Sequence, residues 1–218
     1  MMYNFSAAAL SARIDPLLDA VLRQQRLVGA VVLVRQRGQE IYRRAAGYLD
    51  REAGTPMVDD AVFRLASVSK PIVSTAALAL VGQQRLRLDD LVAHWLPYFA
   101  PRQPDGSVAA ITVRHLLTHT AGLDYGFFQP PGGAYAQAGV SDGMDASRTS
   151  LEDNLRRLAT VPLAYAPGER WAYSIATDVL GAVIEAVTGL PLAHAVALLV
   201  TAPLAMRDTG FISTQPER

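Results

Sequence analysis

Only two stretches of this 218-residue chain have the composition of β-strands, and both lie within its first fifty residues. The run VGAVVLVRQRG, beginning at Val28, is rich in β-branched residues and closes on Gly38. QEIYRRAAGYLD follows with rough alternation, so Gly38 reads as the tight turn of a hairpin. Elsewhere the apolar spacing is helical. It predicts an N-terminal helix over residues 8–25 around Pro16, and a helix over KPIVSTAALALVGQQ from about residue 69. Further helices are expected over DDLVAHWLP with Asp89 as N-cap, over TVRHLLTHTAG up to Gly122, and over 150–160, 175–188 and 192–202. DREAGTPMVDD reads as loop. Residues 123–149 read as a long Gly/Pro/Ser-rich loop with aromatics, a kind that often lines a functional site. An average globular chain of this length has about 45–55 strand residues, against about 20 here. A single hairpin is marginal because its faces need partners, so part of a sheet is missing from this inventory.

Half of the residues are hydrophobic and 18% are charged, which excludes disorder and coiled coil. Twenty basic and twenty acidic side chains cancel, which argues against a general grip on nucleic acid or an anionic membrane. The absence of cysteine excludes a disulfide frame, a thiol nucleophile and a Cys-based zinc site, and fits a reducing compartment. The opening MMYNFSAAALSARIDP has neither the basic region nor the apolar run of a secretory signal. The longest uncharged stretch, Ala186 to Met206, is interrupted by Gly189, Pro191, His194 and Pro203. It reads as two buried helix segments joined by a turn and not as a membrane span. A cytoplasmic setting is the expectation.

Nineteen of the twenty basic residues are arginine; Lys70 is the single lysine. Lysine can lose its proton in a protein and arginine cannot, so Lys70 marks a position where an arginine does not serve. Ser67 stands three residues before it at the start of a predicted helix, on the same face. Backbone N–H groups and the positive end of the helix dipole would lie near Ser67, useful to a developing oxyanion. A serine hydroxyl needs a base, and a lysine whose pKa is lowered from about 10.4 toward about 7–8 can act as one. The plainer reading makes Ser67 a cap and Lys70 a surface cation. His115 and His119, four apart on a predicted helix, are the nearest approach to a metal pair. No acid lies between them, and hydrogen-bonded structural histidines are the preferred reading. Asp59-Asp60 and Asp89-Asp90 read as solvated turn and cap residues, and Glu152 with Arg156 as a surface pair.

With Ser67-x-x-Lys70 in place, the chain resembles the serine β-lactamase and penicillin-binding superfamily. It is closest to the class C-like branch known as family VIII carboxylesterases. LVGAVVLVRQRG, FRLASVSKPI, TVRHLLTHTAGL, PGERWAYSIATDVLGAVIEAVTGLPL and APLAMRDTGF all look like that family. The resemblance implies that Tyr173, in Tyr173-Ser174-Ile175, shuttles a proton between serine and lysine. β-Lactamases of this type usually carry Tyr-x-Asn, whose amide grips the substrate; Ile175 cannot do so, which shifts the balance toward esters. The family's third motif, a strand that supplies one oxyanion-hole N–H, would lie beyond residue 218. Members are roughly twice this length, so the chain looks like the N-terminal half, completed by a second polypeptide or by further residues of the same one.

The expected fold is thus an α/β region over 1–66 and a helical region over 67–218. Together they are β-lactamase/transpeptidase-like, with an antiparallel sheet only partly supplied by this chain and the site between the two regions. The implied activity is hydrolysis of short-chain carboxylic esters through an acyl-serine, with Ser67 as nucleophile and Lys70 and Tyr173 moving protons. Tyr125, Phe127 and Phe128 are candidates for an apolar acyl pocket, and Trp171 for a support of Tyr173. No metal or organic cofactor is implied. A β-lactamase or D-alanyl peptidase, and a non-catalytic scaffold with this fold, are the alternatives.

Overall fold

A computed structural model describes residues 6–145 and 149–212. The expectations that fall on the first five residues, on 146–148 and on 213–218 therefore lie outside the described residues. The described residues divide into two units, 6–64 and 65–212.

The first unit opens with α1 (Ala7–Arg23), capped by Ser6, whose side chain accepts the Ala9 N–H at 3.2 Å. Pro16 sits inside the helix and removes one backbone donor there. Strands β1 (Gly29–Gln36) and β2 (Gln39–Asp50) form the expected antiparallel hairpin. Gln36 faces Gln39 across a two-residue loop in which both Arg37 and Gly38 have positive φ, 54° and 79°. That turn matches the right-handed twist of the strands. A bulge leaves Ile41 as the extra residue on β2 between the Arg35–Glu40 and Val34–Tyr42 pairs. Helix α1 is tied to β2 by polar contacts. The Tyr42 hydroxyl donates to Asp15 at 2.5 Å, and Arg44 pairs with Asp15 and Asp19 at 3.0 and 2.5 Å.

DREAGTPMVDD is not all loop. β3 (Thr55–Pro56) pairs antiparallel with β2 through Tyr48 and Asp50, making a three-stranded sheet in the order β1-β2-β3. A two-residue strand shows no alternation, and its Pro56 can donate no ladder bond, so it is confined to an edge.

The second unit holds the apolar core. A 3₁₀ turn at Ala66–Val68 leads into α2 (Ser69–Gly82), which buries Val73, Ala76, Ala77 and Leu80, the one-sided spacing of a core-facing helix. Short helices follow at α3 (Val92–Trp95), α4 (Val113–Leu117) and α5 (Ala134–Gln137). α6 (Leu151–Leu158) is capped by Ser150, and α7 (Ala176–Thr188) is buried along most of its length. Gly189 stops α7 in a left-handed conformation at φ 71°, and α8 (Leu192–Val196) continues as a π-turn over Ala197–Thr201. Helices α2, α4, α6 and α8 pack around α7. Among the described residues no single helix is long and apolar enough to cross a membrane. α7 and the Leu192–Thr201 segment are bent by 80°, and burial of Val179, Leu180, Val183 and Ile184 accounts for the apolar sequence of α7.

Two expected boundaries move. α3 begins after Leu91 without a side-chain cap; Asp89 instead pairs with Arg114 at 2.9 Å, because a cation close by competes for its carboxylate. α4 ends at Leu117, well before Gly122. His119 adopts φ 54°, and its carbonyl is taken by the Ala172 N–H at 2.9 Å, so a tertiary contact outbids the next helical turn.

Candidate active site

Ser67 lies in the 3₁₀ turn that opens α2, directly after Ala66, a non-glycine residue at φ 45°. Backbone of that kind costs roughly 1–3 kcal/mol and persists where surrounding structure imposes it. The turn brings the Lys70 Nζ to 3.1 Å from Ser67 Oγ, donating to it. Ser67 is exposed and Lys70 half-buried.

Tyr173 enters from the irregular segment just before α7. Its ring centroid is 4.9 Å from Lys70 Nζ, so its hydroxyl comes under the influence of both Lys70 and Ser67. Tyr125 closes the other side: its ring lies 5.3 Å from Lys70 Nζ and 5.4 Å from the Tyr173 ring. Four residues from three separate stretches of chain thus meet around one ammonium.

The electrostatics differ from a lysine-base arrangement. Burial pulls the Lys70 pKa down, but the Tyr125 and Tyr173 hydroxyls outweigh burial, and the net shift is upward. Burial pushes Tyr173 up, yet the Lys70 and Ser67 side chains and the Lys70 charge bring it below the ordinary phenol value. The lysine keeps its proton, and the tyrosine is the group made more acidic. A lysine base would call for a lowered pKa, whereas the Tyr125 and Tyr173 hydroxyls shift Lys70 the other way. Asp178, in the first turn of α7, faces the same charge. The protein crowded around it pushes its carboxyl up to about 6 against the pull of Lys70, although the residue keeps contact with solvent. Sequence reasoning missed Asp178; its place five residues after Tyr173, at a helix start, was the available signal.

Phe127 stacks on Tyr125 at 4.6 Å and Phe128 meets Phe127 edge-on, but the two are 53% and 61% exposed. Tyr125 therefore joins the serine–lysine–tyrosine cluster, while Phe127 and Phe128 form an outward-facing aromatic pair. Trp171 is exposed and meets His119 edge-on at 6.5 Å, one residue removed from Tyr173. Ile175 is 1% exposed, so its side chain is committed to the core. An apolar cavity of about 80 Å³ lies beside α2, lined by Leu65, Ser69, Ile72, Val73, Val196 and Phe211 among others. None of Ser67, Lys70, Tyr125 or Tyr173 lines it, so it is not the site.

His115 and His119 do not share a helix. His115 Nδ1 accepts the Thr112 N–H at 3.2 Å in a reciprocal capping box, and His119 lies beyond the end of α4. Among the described residues no group of three His, Cys, Asp or Glu side chains could hold a metal ion.

Comparison with known proteins places these residues in context. The Beta-lactamase family model matches residues 11–218. Esterase EstB of Burkholderia gladioli is 54% identical over 216 residues, which cover 99% of this chain and 55% of that protein. The solved structure of EstCE1, described as a hydrolase with promiscuous acyltransferase activity, superposes with a TM-score of 0.95 at 46% identity. The match covers 97% of this chain and 55% of EstCE1. The chain spans about half the length of the curated relatives it matches.

Proposed function

The chain belongs to the Beta-lactamase family, and from that premise we propose that it carries the nucleophile-bearing part of a serine carboxylesterase. The observation that carries this reading is the Lys70 Nζ–Ser67 Oγ hydrogen bond at 3.1 Å, with the Tyr173 ring 4.9 Å from the same ammonium.

In the proposed reaction Ser67 Oγ attacks the ester carbonyl carbon. Its proton passes to Tyr173, whose anionic form Lys70 stabilises, and the Ser67 N–H supports the oxyanion. Collapse breaks the bond to the alkoxy group, which takes the proton and leaves as the alcohol. Water then adds to the acyl-serine, with Tyr173 again taking the proton, and Ser67 is restored with release of the acid. No step requires a cofactor. Phe127 and Phe128 would offer the acyl chain an apolar wall. The remaining strands and the second oxyanion donor would come from polypeptide beyond these residues. A cysteine-free chain suits a reducing, cytoplasmic setting.

Relatives named as an esterase and a hydrolase support esters over lactams. So does Ile175, which offers no amide and faces the core. The test is a fluorophosphonate probe followed by peptide mapping, with p-nitrophenyl butyrate as substrate. The adduct is expected on Ser67, and Ser67→Ala should abolish both labelling and turnover. Turnover undiminished in Ser67→Ala would remove Ser67 from the mechanism. A folded protein that is never labelled would favour a non-catalytic scaffold, and nitrocefin cleaved faster than the ester would favour a β-lactamase.

A further inference from the structure

The segment carrying Tyr173 has no regular secondary structure, so its position depends on the chain it lies against. That chain is the strap running from His119 to Asp124. Gly168 N–H donates to the Thr120 carbonyl at 2.8 Å, Ala172 N–H to the His119 carbonyl at 2.9 Å, and Ile175 N–H to the Asp124 carbonyl at 3.2 Å. The remaining contact uses a side chain: Ser174 N–H donates to His119 Nδ1 at 3.3 Å, with Ser174 Oγ at 3.3 Å from the same nitrogen. His119 thus holds both neighbours of Tyr173, one through its backbone and one through its ring. The imidazole also lies against the phenol ring, with centroids 5.1 Å apart.

We propose that His119 is a positioning residue for Tyr173: its neutral imidazole, with the proton on Nε2, fixes the Ala172–Ser174 backbone so that the phenol stays beside the Lys70 ammonium. A ring nitrogen that accepts a backbone N–H carries no proton, which sets the tautomer and requires the uncharged ring. Burial, and then the Lys70 charge, both lower the His119 pKa and favour that form. The inference rests on the serine-esterase reading above, since it assigns Tyr173 a task that depends on place.

Two isosteres separate positioning from bulk packing. In His119→Asn the amide oxygen falls near the position of Nδ1 and can accept the Ser174 N–H, and asparagine tolerates the left-handed backbone found here. In His119→Gln the amide reaches toward the position of Nε2 and leaves Nδ1 unreplaced. With thermal melts confirming that each variant folds, the phosphonylation rate of Ser67 should stay within about threefold of wild type in the Asn variant. In the Gln variant it should fall by about tenfold or more, since roughly 1 Å of misplacement can cost 10²-fold. Equal rates in all three proteins overturn the proposal. Failure of the wild type itself to label would instead sink the esterase reading. In that case, or if the Gln variant does not fold, the tautomer decides: ¹⁵N NMR of wild-type His119 at neutral pH should report an unprotonated Nδ1. A proton on Nδ1 overturns the proposal.

Discussion

Lys70 is surrounded by groups that keep its proton on. Two tyrosine rings stand 5.3 and 4.9 Å from the ammonium, and their hydroxyls shift the Lys70 pKa upward and that of Tyr173 downward. The proposed division of labour is a tyrosine that moves the proton and a lysine that holds the charge. Tyr173→Phe should then lower ester turnover by roughly 10²–10⁴, the range for loss of a general base. Lys70→Arg should be similarly damaging although the charge survives, because a planar guanidinium fork cannot occupy the compact ammonium's place between two phenols. Activity near wild type in either variant would break the scheme. Tyr125→Phe provides a pH test. It removes one of the hydroxyls that raise the lysine, so the ammonium is lost at lower pH. The alkaline limb of kcat/KM should therefore move down the pH scale, and an unmoved limb would separate Lys70 from that limb. Ser67 and Lys70 were legible in the sequence through their spacing and through the absence of any other lysine. Tyr173 was legible only by resemblance. The His119 clasp could not be read, because it joins residues 55 positions apart and helical spacing had already given that histidine another place.

The strap from His119 to Asp124 shows how a single element sets the site. Gly122 sits in it at φ 82°, and a Cβ there would stand 2.3 Å from the Tyr165 carbonyl oxygen, a backbone atom that cannot swing aside. The Ala164 N–H donates to the Gly122 carbonyl at 2.9 Å, so the close approach is part of the same pairing that reaches Tyr173. Gly122→Ala should destabilise the protein by more than the roughly 1–2 kcal/mol of the left-handed conformation alone, since the contact adds to it. Thermal or urea melts would measure this, and a change below about 0.5 kcal/mol, the usual bound for a neutral surface substitution, would show that the strap yields. The sequence TVRHLLTHTAG kept a helical pattern through this region because the competing partner, the Ala172–Ile175 segment, is remote in the chain. Thr118 closes α4 by donating its hydroxyl back to the Arg114 carbonyl at 2.8 Å. The hairpin, by contrast, is specified locally by the β-branched residues of β1 and the Arg37-Gly38 turn, and its two strands and turn were legible while the bulge at Ile41 was not. β3 was not, since two residues carry no periodicity.

Burial is distributed unevenly over the whole chain. Among the described residues of the first unit only Leu18 and Tyr42 are buried apolar side chains, whereas the continuous core belongs wholly to the second unit. A helix and a small sheet with so little buried apolar area cannot offset the conformational entropy of ordering some sixty residues, at roughly 1–2 kcal/mol each for the backbone alone. Among the described residues the strand order β1-β2-β3 leaves β1 at an edge of the sheet, and Leu33 on it is exposed. These features fit a first unit completed by further strands, as the half-length match to the relatives also suggests. The same strands are the proposed source of the second oxyanion donor, so stability and catalysis should be restored together. Expressed alone, the 218-residue chain should show rapid amide exchange in β1 and β2 and protected amides in α2 and α7. Its ester turnover should lie at least about 10²-fold below that of the chain assembled with the missing strands, the usual cost of one lost oxyanion donor. Co-expression with the C-terminal half of a close relative, followed by exchange and p-nitrophenyl butyrate assays on the co-purified complex, measures both. Protection of β1 gained together with turnover supports completion by added strands. A lone chain that already protects its hairpin and turns over ester at the full rate would mean that these residues need no such partner.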